Sequence, residues 1–149
     1  MGWFEDYQPG MEREFGGVEV TEDTILAFAR EYDPQPFHVD RAAAAASPYG
    51  GLIASGWQTA ALMMKMFVAN MTDREASLGS PGIDELRWTR PVRPGDVLRV
   101  RARVVDARPS RSKPDRGSVF FEIAVVNQRG ETVMTAKPIG MYLRRPPTR

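Results

Sequence analysis

Trp57-Gln58-Thr59-Ala60-Ala61-Leu62-Met63-Met64-Lys65-Met66-Phe67-Val68-Ala69-Asn70 is the stretch that decides the fold. It is apolar almost all round, with Trp57, Ala60, Ala61, Leu62, Met63, Met64, Met66, Phe67 and Val68 leaving no broad polar stripe. A surface helix keeps one polar face, whereas a helix apolar around its circumference is surrounded by protein. Gln58, Lys65 and Asn70 interrupt the longer apolar run of residues 50–71, so the segment reads as a buried helix and not as a membrane span. Met63, Met64, Met66 and Met71 read as flexible core filler rather than as a set of sulfur ligands.

What surrounds such a helix is written on either side of it. From Ile83 the apolar period becomes two, as a half-buried strand requires. Residues 97–106 place Leu98, Val100, Ala102 and Val104 on one face and Arg99, Arg101 and Arg103 on the other. Val119, Phe121, Ile123 and Val125 repeat the alternation. Asn127-Gln128-Arg129-Gly130 is a hairpin turn in which Gly130 supplies positive φ. Residues 133–143 form a last strand, whose Pro138 predicts an edge or a bulge because proline cannot donate to a ladder. Residues 108–117 read as a polar loop, and the tail after Leu143 as frayed.

Upstream, a first strand is expected around residues 13–20. Thr21 caps a helix with Glu22 and Asp23 in its first turn, where the helix dipole favours them. Its apolar stripe runs to about Tyr32; Pro34 and Pro36 forbid continuation, so residues 33–38 read as a loop. Asp40 caps a short helix over residues 41–46, broken by Ser47-Pro48-Tyr49-Gly50-Gly51. Helices followed by a run of strands mark the α+β class. A single sheet covers only part of an all-round apolar helix, so the uncovered remainder and the sheet edge predict a dimer.

Composition narrows the chemistry. The chain has 149 residues and 16.7 kDa, the size of one domain spanning residues 1–149. Cys is absent and His38 is the only histidine, which excludes a disulfide framework, a thiolate nucleophile and a His-rich metal site; no metal is expected. The net charge of +1 argues against a nucleic-acid binder. Residues 1–80 carry 12 acids and 5 bases, and residues 81–149 carry 7 acids and 15 bases. The basic half either attracts an anionic ligand such as a phosphorylated cofactor or is a solvated arginine-rich surface. Met1-Gly2-Trp3-Phe4-Glu5-Asp6 has no basic start and no apolar core, so a cytoplasmic protein with no membrane association is expected.

Two features bear on catalysis. Asp33-Pro34-Gln35-Pro36-Phe37-His38-Val39-Asp40 holds the sole histidine, a carboxylate five residues before it, and two prolines that stiffen the connection. A carboxylate and an imidazole that converge on one water move protons near neutral pH. The plainer alternative is that Asp33 ends a helix and His38 packs in a turn. Ala54-Ser55-Gly56-Trp57 opens the apolar helix, where free N–H groups and the dipole make an anion site. Gly56 lets a ligand oxygen approach its N–H with no Cβ in the way, as an oxyanion hole for a thioester enolate requires. Here the plainer alternative is a Ser55 N-cap and a Gly56 kept small for packing.

Taken together, the run from Phe28 through Asp33, Pro36, His38 and Asp40 to Tyr49-Gly50-Gly51-Leu52-Ile53-Ala54-Ser55-Gly56 resembles the MaoC-like, (R)-specific enoyl-CoA hydratase family of hot-dog proteins. The later Leu86-Arg87-Trp88 and Pro91-Val92-Arg93-Pro94-Gly95-Asp96 resemble that family's strand-turn segment. The resemblance implies a long helix wrapped by a curved antiparallel sheet, paired into a homodimer. It implies that Asp33 and His38 activate a water and return a proton to Cα, and that the Gly56 N–H binds the thioester carbonyl. Gln35, Phe37 and Ser55 are then expected to contact substrate. Gln35 stands where the family usually has Asn, Ser55 where it often has His, and Met64 where some relatives have Ser. The implied ligand is a thioester of CoA or of acyl carrier protein, with CoA entering as part of the substrate and no separate cofactor. Arg87, Arg90, Arg93, Arg99 and Arg101 are candidates for its phosphates. A hot-dog thioesterase and a non-catalytic or partner-dependent acyl-CoA-binding subunit are the competing readings.

Overall fold

The computed structural model describes residues 1–147. After a short 3-10 turn at Phe4–Asp6 the elements run β1 (Glu12–Glu19), α1 (Glu22–Tyr32), α2 (Pro36–Val39), α3 (Arg41–Ala46), α4 (Gly56–Met71), β2 (Gly82–Trp88), β3 (Val97–Pro109), β4 (Arg116–Val126) and β5 (Thr132–Leu143). The strands form one antiparallel sheet in the order β1-β3-β4-β5-β2. With α4 laid on the sheet, this is the α+β hot-dog arrangement that the resemblance implied.

The alternation in the strands does what period two predicts. Leu98, Val100 and Val104 of β3 and Val119, Phe121 and Val125 of β4 turn inward and are buried, while Arg99, Arg101 and Arg103 stay in solvent. From α4, Met63, Met66, Phe67 and Met71 enter the same core. Phe67 stands edge-on to Phe121, ring centroids 5.0 Å apart, and to Phe15 at 6.5 Å. Full burial of each such side chain stabilises the fold by about 1.5–3 kcal/mol. At the far end of α4 the Tyr7 hydroxyl donates to the Met71 carbonyl and satisfies one of the helix's orphan acceptors.

Four expectations are corrected. Residues 33–38 are not loop throughout: Pro36 sits at the first position of α2, where its fixed φ starts a helical turn. Pro138 is not on an edge, because β5 lies between β4 and β2. The irregularity falls instead on its neighbour β2, whose register slips between Asp84 and Arg87 at a bulge with Glu85 at φ 51°. The polar loop is shorter than residues 108–117, because β3 continues to Pro109 and β4 begins at Arg116. The tail is tied down as far as Arg145: Arg144 Nε donates to Glu5 Oε1 at 3.0 Å and the Arg145 N–H to Glu5 Oε2 at 2.9 Å. The part of the tail at residues 148–149 lies outside the described residues.

The helix that decided the fold is only half enclosed. Gln58, Thr59, Met63, Met66, Phe67 and Met71 are buried, but Trp57 is 57% exposed, Met64 40% and Val68 46%. These three lie on one stripe, spaced at 57, 64 and 68. Beside them the edge strand β2 exposes Ile83 and Trp88. The chain alone therefore leaves one apolar side of α4 uncovered. No helix among the described residues is long and apolar enough to cross a membrane.

Candidate active site

Asp33 and His38 converge because a helix end and a helical turn follow one another without slack. Asp33 is the C-cap of α1, its N–H donating to the Ala29 carbonyl at 2.9 Å. Pro34 holds the chain extended at that point, and Pro36 then opens α2, which carries His38 inward to 5% exposure. His38 Nδ1 lies 2.7 Å from the Ile53 carbonyl, and Nε2 lies 3.3 Å from Asp33 Oδ2. A carbonyl only accepts, so Nδ1 carries the proton there. Nε2 is then the nitrogen free to gain or lose one, facing the carboxylate.

The carboxylate is held from three sides. Gln35 Nε2 donates to Asp33 Oδ1 at 2.8 Å, and the Ser55 hydroxyl donates to Oδ2 at 2.8 Å. Burial pushes the Asp33 carboxyl up, but the hydrogen bonds from Gln35 and Ser55, with the His38 ring beside it, outweigh burial and hold it below the ordinary aspartate value. Asp33 is thus an anion well suited to receive a proton only transiently. Phe37 packs edge-on against the His38 ring, centroids 4.6 Å apart, and lies tilted against Tyr49 at 5.3 Å, which packs the imidazole in place.

The two atoms open onto a cavity of about 400 Å³, whose wall is made by Asp33, Gln35, Phe37 and His38 on the α2 side and by Gly56, Trp57, Trp88 and Arg90 on the other. Gly56 begins α4, and among the described residues its N–H donates to no acceptor. That leaves one positively polarised donor at the N-terminus of a helix 16 residues long.

The expected residues are distributed with two differences. Asp33, His38, Gly56, Gln35 and Phe37 all line the one cavity. Ser55 does not: it is fully buried behind Asp33, accepting from the Trp57 N–H at 3.3 Å while donating to the carboxylate. Its place is to hold Asp33, not to touch a ligand. Gly56 is also small for a further reason. A Cβ built there would stand 2.3 Å from Trp88 Cε2, so the space beside Cα is filled by the indole rather than open to a ligand.

Of the five arginines, Arg99 and Arg101 are tied to Glu14 at 3.0 and 3.2 Å on the outer face of the sheet. Arg87 faces the same outer groove. Arg90 lines the cavity, and Arg93 donates to the Tyr49 carbonyl at 2.6 Å at its border. Trp88 and Tyr49 also line the cavity; the sequence offered them only as members of the family-like segments, since a lone aromatic at a strand end or in a Gly-rich turn carries no local sign of facing a site.

Comparison with known proteins agrees with the fold. Residues 6–122 match the MaoC like domain. The chain is similar to the MaoC-like dehydratase from Rhodospirillum rubrum, at 41% identity and TM-score 0.90, covering 97% of this chain and 99% of that one. It is similar to the 3-hydroxybutyryl-CoA dehydratase of Methylorubrum extorquens, 31% identical over 113 residues, 74% of this chain and 69% of that protein. It also superposes on the R-hydratase PhaJ1 from Pseudomonas aeruginosa at 25% identity and TM-score 0.75, covering 98% and 94%.

Proposed function

The chain belongs to the MaoC-like domain family, and from that premise we propose that it is a hydro-lyase adding water to a trans-2-enoyl thioester, or removing it from the 3-hydroxyacyl thioester. One observation carries the reading: Asp33 Oδ2 and His38 Nε2, 3.3 Å apart, share one cavity with the unpaired Gly56 N–H. A dyad alone suits many proton transfers. A dyad beside a helix-start donor suits one whose intermediate places negative charge on a carbonyl oxygen.

In the hydration direction, a water held between Asp33 and His38 attacks Cβ of the enoyl thioester. Its proton passes to the dyad as the C–O bond forms. The Cα=Cβ electron pair moves toward the thioester carbonyl, and the enolate oxygen is stabilised by the Gly56 N–H and the α4 dipole. The dyad then returns the proton to Cα, which gives the 3-hydroxyacyl thioester and restores the enzyme. Dehydration is the same sequence reversed, and neither direction uses a separate cofactor.

The carrier we propose is CoA, with its phosphates met by Arg90, which lines the cavity and pairs with Glu131 at 3.1 Å, and by Arg93, which is tied to the carbonyl of the cavity residue Tyr49. A homodimer is proposed from the uncovered side of α4: Trp57, Met64 and Val68 with Ile83 and Trp88 form an apolar strip along an edge strand, and a second copy offers the same strip in return. A thioesterase is disfavoured because α4 carries no Asp or Glu to activate water.

Loss of the conjugated enoyl absorbance on trans-2-enoyl-CoA, by wild type but not by Asp33→Asn and without release of free thiol, supports the hydro-lyase. Thiol release points to the thioesterase. Binding of acyl-CoA with no turnover at high enzyme concentration points to the non-catalytic subunit.

A further inference from the structure

We propose that the Thr59 hydroxyl is a second donor to the thioester oxygen, completing with the Gly56 N–H the oxyanion site; the inference rests on the acyl-thioester reading above. The two groups belong to one helical surface. Gly56 is the first residue of α4 and Thr59 stands three positions on, the spacing that puts two residues on the same face. A helical side chain leans back over the turn that precedes it. Thr59 therefore reaches toward the end of α4 at which the Gly56 N–H is free. Both residues line the dyad cavity.

The hydroxyl itself is uncommitted. A threonine inside a helix can turn its hydroxyl onto the carbonyl one turn back. Here that carbonyl belongs to Ser55 and accepts the Gln58 and Thr59 N–H groups at 3.0 and 3.2 Å. The side-chain hydrogen bonds of α4 and its cap are those of Ser55 and Asn70; Thr59 adds none among the described residues. Thr59 is only 2% exposed, yet its oxygen is not walled in. Among the described residues the one sealed side-chain polar atom with no partner is Gln58 Oε1. The sliver of surface that Thr59 keeps thus includes its hydroxyl, and the open space that Thr59 borders is the dyad cavity. A buried hydroxyl with no partner is unfavourable until a ligand atom supplies one. The ligand atom this site lacks a second donor for is the thioester oxygen. The first turn of α4 offers it one N–H only, since the Trp57 N–H is taken by Ser55 Oγ and the next two by the Ser55 carbonyl. The Thr59 hydroxyl donates a hydrogen bond and keeps its proton, so the dyad alone moves protons.

The test compares wild type, Thr59→Val, Thr59→Ser and Thr59→Ala on a four-carbon trans-2-enoyl-CoA, with melting curves for each. Removal of one oxyanion donor costs about 10²–10³ in kcat. Thr59→Val keeps the shape and loses the donor. Its kcat is expected to fall by about 10²-fold or more with KM little changed, because the bond strengthens as charge develops on the oxygen. Thr59→Ser keeps the hydroxyl and is expected to recover most of the loss. Since the hydroxyl has no protein partner, Thr59→Val is expected to melt no lower than wild type. Should Thr59→Val fail to fold, Thr59→Ala carries the same expectation for kcat. The acid limb of the kcat/KM profile is expected to stay in place. A kcat within a few-fold of wild type in the folded variant overturns the proposal. So does a Thr59→Ser protein as slow as Thr59→Val, or an acid limb that moves, which would put the hydroxyl on Asp33 instead. Butyryl-CoA labelled with carbon-13 at the thioester carbonyl separates this inference from the reaction itself. On binding to wild type, its carbonyl stretch is expected to move to lower frequency, and Thr59→Val to return part of that shift. If wild type turns over nothing, that outcome still supports the second donor; the same stretch in both proteins, or no binding of butyryl-CoA, overturns it.

Discussion

The Ser55 hydroxyl donates at 2.8 Å to the same Asp33 oxygen, Oδ2, that lies 3.3 Å from His38 Nε2. One buried serine therefore joins the start of α4, which carries the proposed oxyanion donor, to the carboxylate proposed to work with His38. Ser55→Ala removes a hydrogen bond to a charged acceptor, worth about 1.5–3 kcal/mol, and an N-cap worth about 1 kcal/mol. Because Ser55 helps hold the Asp33 carboxyl below its ordinary value, its loss raises that value. The acid limb of the kcat/KM profile moves to higher pH, and Tm falls. An unmoved limb in a folded Ser55→Ala protein would detach Ser55 from the dyad.

Asp33→Asn keeps the shape, accepts from only one of Gln35 and Ser55 because it has one acceptor oxygen in place of two, and cannot take a proton. Loss of one acid–base group costs about 10²–10⁴ in rate; kcat on a four-carbon enoyl-CoA is expected to drop within that range, and His38→Gln likewise. Retention of activity in either would remove that residue from the mechanism.

Acid stability carries a separate signature. Asp33 has a folded-state value below 3.8, so its charged form stabilises the fold at pH above 3.8, and that contribution is lost as pH falls through the lower, folded value. Asp33→Asn is expected to melt with a shallower pH dependence than wild type below about pH 4. Thermal melts from pH 2.5 to 7 measure it, and parallel curves would contradict the assignment.

Gly56→Ala puts a methyl where Trp88 already stands. Overpacking of this kind costs about 1–3 kcal/mol. The double variant Gly56→Ala with Trp88→Ala relieves the clash and leaves the position-56 N–H in place, so the two changes couple by about 0.5–3 kcal/mol in a double-mutant cycle. Chemical denaturation of the four proteins gives the coupling. Additive losses would mean that the ring and the glycine do not compete for space.

Met64→Lys and Val68→Asp charge the uncovered stripe of α4 without entering the core of the chain. Light scattering is expected to give twice the chain mass for wild type and the single-chain mass for the pair of substitutions. A wild type that is monomeric at high concentration would refute the homodimer.

The fold was legible because α4 and the strands obey opposite periods. The Arg99, Arg101 and Arg103 side of β3 and the Leu98, Val100 and Val104 side separate in the sequence as they do in space. The closeness of Asp33 and His38, too, was readable, since two prolines and two helix signals leave them little freedom. What escaped notice depends on long-range packing. Ser55 reads equally well as a cap or a ligand contact until Asp33, 22 residues away, is brought to it. Trp88 meets Gly56 only once β2 has crossed to the edge beside β5. Pro138 announced irregularity correctly in kind but not in place, because the bulge is carried by the partner strand at Glu85. The halves of opposite charge dissolved into pairs across the sheet, such as Arg99 and Arg101 with Glu14.

The bond from His38 Nδ1 to the Ile53 carbonyl leaves the imidazole only one working nitrogen. Ile53 occupies the far side of the ring, so no relay passes through it to bulk water from behind. In the proposed dehydration, a hydrogen taken from substrate must leave by the door through which substrate entered. While that door is occupied, the same hydrogen is available for return. Substrate labelled with deuterium at Cα should therefore scramble back to itself faster than its label washes out into solvent.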